Sequence, residues 1–106
     1  MVAIMDLVQI LLPLYDRRGR KIPRTVLRGA ASCLAEEYGG VTAYTRSPAL
    51  GMWRTAPDKL DRDEVVVYEV MVPSANKSSW AATRRRLEKT FRQDRIVVRA
   101  MRFTLI

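Results

Sequence analysis

Apolar residues along this chain switch between strand-like and helix-like spacing, and the cycle runs twice. Leu7 to Tyr15 (LVQILLPLY) is a nearly continuous apolar run, the pattern of a buried strand. Val26, Leu27, Ala30, Leu34 and Tyr38 then recur at helical spacing. Pro23 stands where a proline opens a helix, and Gly39-Gly40 stands where glycine stops one, so the pattern predicts a helix over 24–38. Val41 to Arg46 (VTAYTR) alternates as a short strand. Residues 47–63 carry Pro48, Gly51, Pro57 and many charges around Trp53, and read as a long loop. Glu64 to Val72 (EVVVYEVMV) is rich in β-branched residues and ends at Pro73, with Ser74-Ala75-Asn76 as turn and cap. Trp80, Thr83, Leu87 and Phe91 share one helical face, which predicts a helix over 77–92, and Arg95 to Leu105 is the last strand.

The element order is thus β-α-β-β-α-β. Two βαβ units in 106 residues predict an α+β, ferredoxin-like sandwich, with antiparallel sheet order 4-1-3-2 and both helices on one face. One domain over 1–106 is expected, since the length suits one core and no linker interrupts it. The opening Met1–Asp6 precedes the patterned region, whose start at Leu7 leaves Met5 as an alternative first residue. It lacks the basic stretch and cleavage site of a signal peptide. No apolar run approaches the roughly 18–20 residues of a membrane span, and the lone Cys33 rules out an intrachain disulfide. Both features suggest a cytoplasmic protein without membrane contact.

Strand parity gives a sharper expectation. Alternate side chains point to opposite faces. Val8, Ile10, Leu12 and Leu14 form a purely apolar set, so they should lie under the helices with Val66, Tyr68, Val70, Val72, Ile96, Val98 and Ala100. The opposite face then holds Gln9, Glu69 and Arg99 on three adjacent strands, with Tyr44 and Arg46 extending the row. Around them lie Leu7, Leu11, Val65, Val67, Met71, Val97, Met101 and Phe103, too much apolar surface to leave bare. A second copy, sheet against sheet, is the economical cover, which predicts a homodimer. Glu69 and Arg99 then form either a structural ion pair satisfied by Gln9 or a polar ligand site in an apolar cleft. In the second case Trp53 is a candidate lid, and Glu69, if desolvated, a candidate general base.

Charge adds an alternative. Lys and Arg number 19 against 11 Asp and Glu, a net charge of +8. Many cluster at Arg17, Arg18, Arg20, Lys21 and Arg24, and again at Arg84, Arg85, Arg86, Lys89 and Arg92. Such clusters are either solvated faces or a phosphate footprint for nucleic acid. An acidic residue in mid-sheet and the missing RNP1 pattern argue against RNA on the sheet, so nucleic acid is the less favoured partner. Absence of histidine removes Ser-His and Cys-His catalysis and histidine metal sites. Asp58, Asp61, Asp63 and Glu64 match no calcium-loop spacing, so no metal or cofactor is expected.

The strings VQILLPLYD, YGGVTAYTRSPALGMW, VVVYEVMV and FRQDRIVVRA resemble a group of short bacterial proteins of uncharacterised activity, over nearly the whole chain. The predicted fold also resembles the dimeric α+β-barrel superfamily, which includes cofactor-free monooxygenases and heme-degrading enzymes. No catalytic motif of those enzymes is matched residue by residue, and the heme-degrading members use a histidine that this chain lacks. The resemblance implies a fold without an activity. The sequence therefore leads to a homodimeric domain binding a small polar or anionic molecule on its open sheet face. A basic nucleic-acid module and a purely structural interaction domain remain as alternatives.

Overall fold

The computed structural model describes residues 2–57 and 59–106; the side chains at 46, 47, 53, 55 and 59–62 fall outside that description. Six elements follow the predicted order: β1 (Ala3–Pro13), α1 (Arg24–Tyr38), β2 (Thr42–Ala56), β3 (Lys59–Val72), α2 (Lys77–Thr90) and β4 (Val97–Leu105). The strands form one antiparallel sheet in the order β2-β3-β1-β4, which is 4-1-3-2 read from the other edge.

Both helices pack on one face. Val8, Ile10 and Leu12 of β1 and Val66, Tyr68 and Val70 of β3 are buried there against Leu34 of α1 and Trp80 and Leu87 of α2. Tyr38 stacks on Trp80 with ring centroids 4.2 Å apart, which ties the helices to each other. The Tyr68 hydroxyl, buried within this core, donates to the Leu27 carbonyl at 2.8 Å. α1 stops at Gly39, whose φ of 87° is the left-handed conformation that glycine adopts without strain. α2 opens on Asn76, whose side chain accepts from the Ser79 N–H. It ends earlier than its pattern suggests, because Arg92 takes a φ of 53° and turns the chain.

The long loop expected over 47–63 is a correction. β2 and β3 continue as paired strands, with Leu50 opposite Glu64 and Trp53 opposite Asp61. The breakers misled for a physical reason. β2 is an edge strand, where a proline lacking its N–H removes no interior ladder bond. Pro48 falls in the register shift between Tyr44 and Ala49, and Pro57 in the turn. A second correction concerns the start. β1 begins at Ala3, and Asp6, which hid the strand's beginning, has a structural job: its carboxylate accepts the Ala75 N–H at 2.8 Å. A third concerns Ala100, expected under the helices but exposed, on the edge strand β4.

Candidate functional site

The open face is a grid of rows running across the strands. Glu69, Gln9 and Arg99 are direct cross-strand partners on β3, β1 and β4. One flanking row is Val67, Leu11 and Val97; the other is Met71, Leu7 and Met101. A polar row thus lies between two apolar ones. Met71 and Met101 are 52% and 45% exposed, while Leu7, Leu11 and Val67 are half-buried. Val65, grouped with this face by parity, is nonetheless buried.

Hydrogen bonds connect the polar row end to end. The Arg99 Nε donates to Gln9 Oε1 at 2.8 Å. Gln9 Nε2 donates to Glu69 Oε2 at 2.7 Å, and Tyr44 Oη donates to Glu69 Oε1 at 3.1 Å. Tyr44 sits in register with Val67 and reaches diagonally to the carboxylate. The amide of Gln9 is oriented by its neighbours, since its oxygen must meet the guanidinium and its nitrogen the carboxylate. Glu69 and Arg99 do not form the direct ion pair considered from the sequence. Two strand spacings, roughly 9–10 Å, separate them, and Gln9 relays between the charges. Glu69 also holds Tyr44 in its neutral form: the hydrogen bond to the carboxylate, then its charge, raises the phenol above the ordinary tyrosine range.

Beside Glu69 the face opens into a cavity of about 380 Å³ bordered by Leu7, Met71 and the turn Gly39–Thr42 that joins α1 to β2. The side chains of Arg46 and Trp53 lie outside the described residues. The backbone position of Trp53, opposite Asp61, is eight β3 residues from Glu69, or roughly 27 Å along the strand. The Trp53 backbone thus lies along the β2–β3 hairpin, away from the row, on residues expected to form a loop.

The basic clusters are partly paired. Asp16 organises the turn after β1 by accepting the N–H groups of Arg18 and Arg20 and the Arg20 Nε. Arg17 pairs with Asp94 at 2.8 Å and Arg86 with Glu37 at 2.9 Å. Arg18 and Arg85 are exposed without an acidic partner among the described residues. Asp58 lies outside the described residues, as does the side chain of Asp61. Among the described residues no helix is long and apolar enough to cross a membrane.

This sheet, with two helices on one face and the other face open, defines a ferredoxin-like α+β protein. No family model and no curated protein sequence matches the chain. Solved structures do share its fold. The divalent cation tolerance protein Cut A1 from Thermus thermophilus superposes with a TM-score of 0.61 at 15% identity, covering 92% of this chain and 82% of that one. A phage SAM lyase in complex with S-methyl-5'-thioadenosine gives a TM-score of 0.63 at 10% identity, covering 95% and 88%. CutA from Synechococcus elongatus gives 0.55 at 11% identity, covering 100% and 83%. At these identities the likeness is one of fold.

Proposed function

We propose that the protein is a homodimer closed through its open sheet face, and that the row Tyr44–Glu69–Gln9–Arg99 is the polar floor of a small-molecule site between the copies. The observation that carries this reading is a continuous hydrogen-bonded polar row set between two apolar rows. The apolar rows favour burial, and the polar row supplies orientation, the usual composition of a ligand site.

Chemistry at the two ends differs. Among the described residues only the Nε of Arg99 is engaged, so its two terminal nitrogens are available for a carboxylate or phosphate. At the other end, Glu69 accepts from a donor or takes a proton from a bound molecule. A polar or anionic ligand of modest size fits the row and the adjoining cavity. The phage lyase of the same fold was solved with S-methyl-5'-thioadenosine, which makes that compound a rational first probe.

Two measurements test the reading. Light scattering after gel filtration should give twice the chain mass; a monomer at micromolar concentration would remove the cover on which the site depends. Thermal-shift screening against polar and anionic metabolites, S-methyl-5'-thioadenosine among them, should give a stabilising hit on the wild type. The hit should vanish when Glu69→Leu and Arg99→Met are combined in a variant that still folds. A dimer that binds nothing, and that Glu69→Leu with Arg99→Met leaves as stable as before, would assign the row a structural role.

A further inference from the structure

Exposed Ala100 marks a second hollow, on the helix side of the sheet. A cavity of about 330 Å³ lies between the first half of α2 and this edge strand. Its floor is apolar, formed by Val8, Trp80 and Val98. Its rim carries Lys77 and Arg84, no acidic side chain lines it, and Arg99 borders it from β4 with its guanidinium turned to Gln9 on the open face. Two cations beside a small apolar hollow repel one another unless something negative joins them.

Arg84 makes the case specific. Its Nε is sealed from solvent and has no hydrogen-bond partner. Glu88, one helical turn away, comes only within 3.7 Å, beyond hydrogen-bond reach. The same Glu88 oxygen already accepts the Ile96 N–H at 2.9 Å, which anchors it away from the arginine. Arg84 thus keeps a loose ion pair with Glu88 while its Nε N–H has no acceptor, and a buried donor without an acceptor is costly.

We propose that this cavity binds a phosphorylated small molecule, its phosphate held by Lys77 and Arg84 and its apolar body laid against Trp80 and Val98. A phosphate monoester carries close to two negative charges at neutral pH, which matches the two cations Lys77 and Arg84 better than a single carboxylate does. The volume falls at the small end of the range for ligand pockets, roughly 300–1,000 Å³. This site is distinct from the one on the open face and uses neither Tyr44, Gln9 nor Glu69. Arg99 touches both sites, so it is not a position for the test.

The probe is phenyl phosphate, with inorganic phosphate as the comparison, titrated calorimetrically into the full chain at low salt. Phenyl phosphate should bind saturably and about tenfold or more tighter than inorganic phosphate, because the floor is apolar. Arg84→Met should weaken it by about tenfold or more while leaving the ligand-free melting temperature unchanged or higher, since an orphaned donor is replaced by an apolar chain of similar length. Lys77→Met, at an exposed position, should weaken binding independently, and Glu69→Gln should not affect it. Absence of saturable binding at millimolar phenyl phosphate overturns the proposal. So does a lowered melting temperature in Arg84→Met with binding intact, which would make Arg84 a structural partner of Glu88.

Discussion

Gln9 is the hinge of the polar row because an amide has both a donor and an acceptor, and the row needs one of each. Without it, two opposite charges would sit two strands apart with nothing between them. In the isolated chain Arg99 is exposed, so Arg99→Ala should cost below about 1 kcal/mol there. Within a closed dimer the same change strands a desolvated carboxylate end and should cost roughly 3–5 kcal/mol. Denaturation at two protein concentrations, one below and one above the association threshold, separates these values. Tyr44 gives a second residue-scale expectation. Its ionisation is raised by Glu69, so its stabilising bond is fully present below the ordinary tyrosine value near 10 and is lost as pH rises through the higher folded value. Ultraviolet difference titration of wild type against Tyr44→Phe should show tyrosinate forming above pH 10 at this site, and Glu69→Gln should bring it back down. Asp16 has the opposite sign. The Arg20 and Arg18 N–H groups and the Arg20 charge lower its pKa, outweighing a smaller upward push from desolvation. Its contribution is therefore present above the ordinary carboxylate value near 4 and lost as pH falls through the folded value. Asp16→Asn should show a weaker acid dependence of the melting temperature than the wild type.

At the scale of elements, each helix is held by features of different legibility. The apolar stripes of α1 and α2 were readable because helical spacing places them on one face. The Asn76 cap was readable because a short polar side chain stands just before the helix. Asn76→Ala should cost about 1 kcal/mol in urea denaturation, and Asn76→Ser should restore most of it. A much smaller loss would mean the first turn of α2 is held by β4 rather than by its cap. The bond between Tyr38 and Thr83 was not readable, since it joins two helices 45 residues apart. Tyr38→Phe keeps the stack on Trp80 and loses this bond, a change of about 1 kcal/mol. The β2–β3 hairpin was read wrongly for a reason that generalises. Proline, glycine and charge break a central strand but are tolerated on an edge strand, and a strand's place in the sheet is invisible in its own residues.

For the whole molecule, the decisive surface is the uncovered sheet face. Met71→Lys and Met101→Lys each place a charge in the row flanking Glu69–Gln9–Arg99, at positions already half-exposed in one chain. Each should leave folding nearly unchanged and shift the gel-filtration mass to one chain. Persistence of the dimer in both variants would point to another contact surface. The paired state of Arg17, Arg20 and Arg86 carries a further expectation. Binding to duplex DNA should be weak at about 50 mM salt, and replacing Arg84, Arg85 and Arg86 by Ala should change it little. Tight binding with a steep salt slope that these substitutions abolish would restore the nucleic-acid alternative.

Period and parity, both local properties, determined the element order, the helix-facing core and the grouping of Gln9, Glu69 and Arg99 on one face. They suffice because a strand must alternate and a helix must return every three or four residues, whatever surrounds them. Tertiary structure alone decided what those groups do. It set β1 between β3 and β4, so that Gln9 relays between two charges on non-adjacent strands. It carried β2 and β3 outward as a paired arm, which took Trp53 far from the row. It left Ala100 exposed on the edge strand β4 and the Arg84 Nε buried without a hydrogen bond. Each of these depends on distances between residues remote in the chain, and no local pattern encodes such a distance.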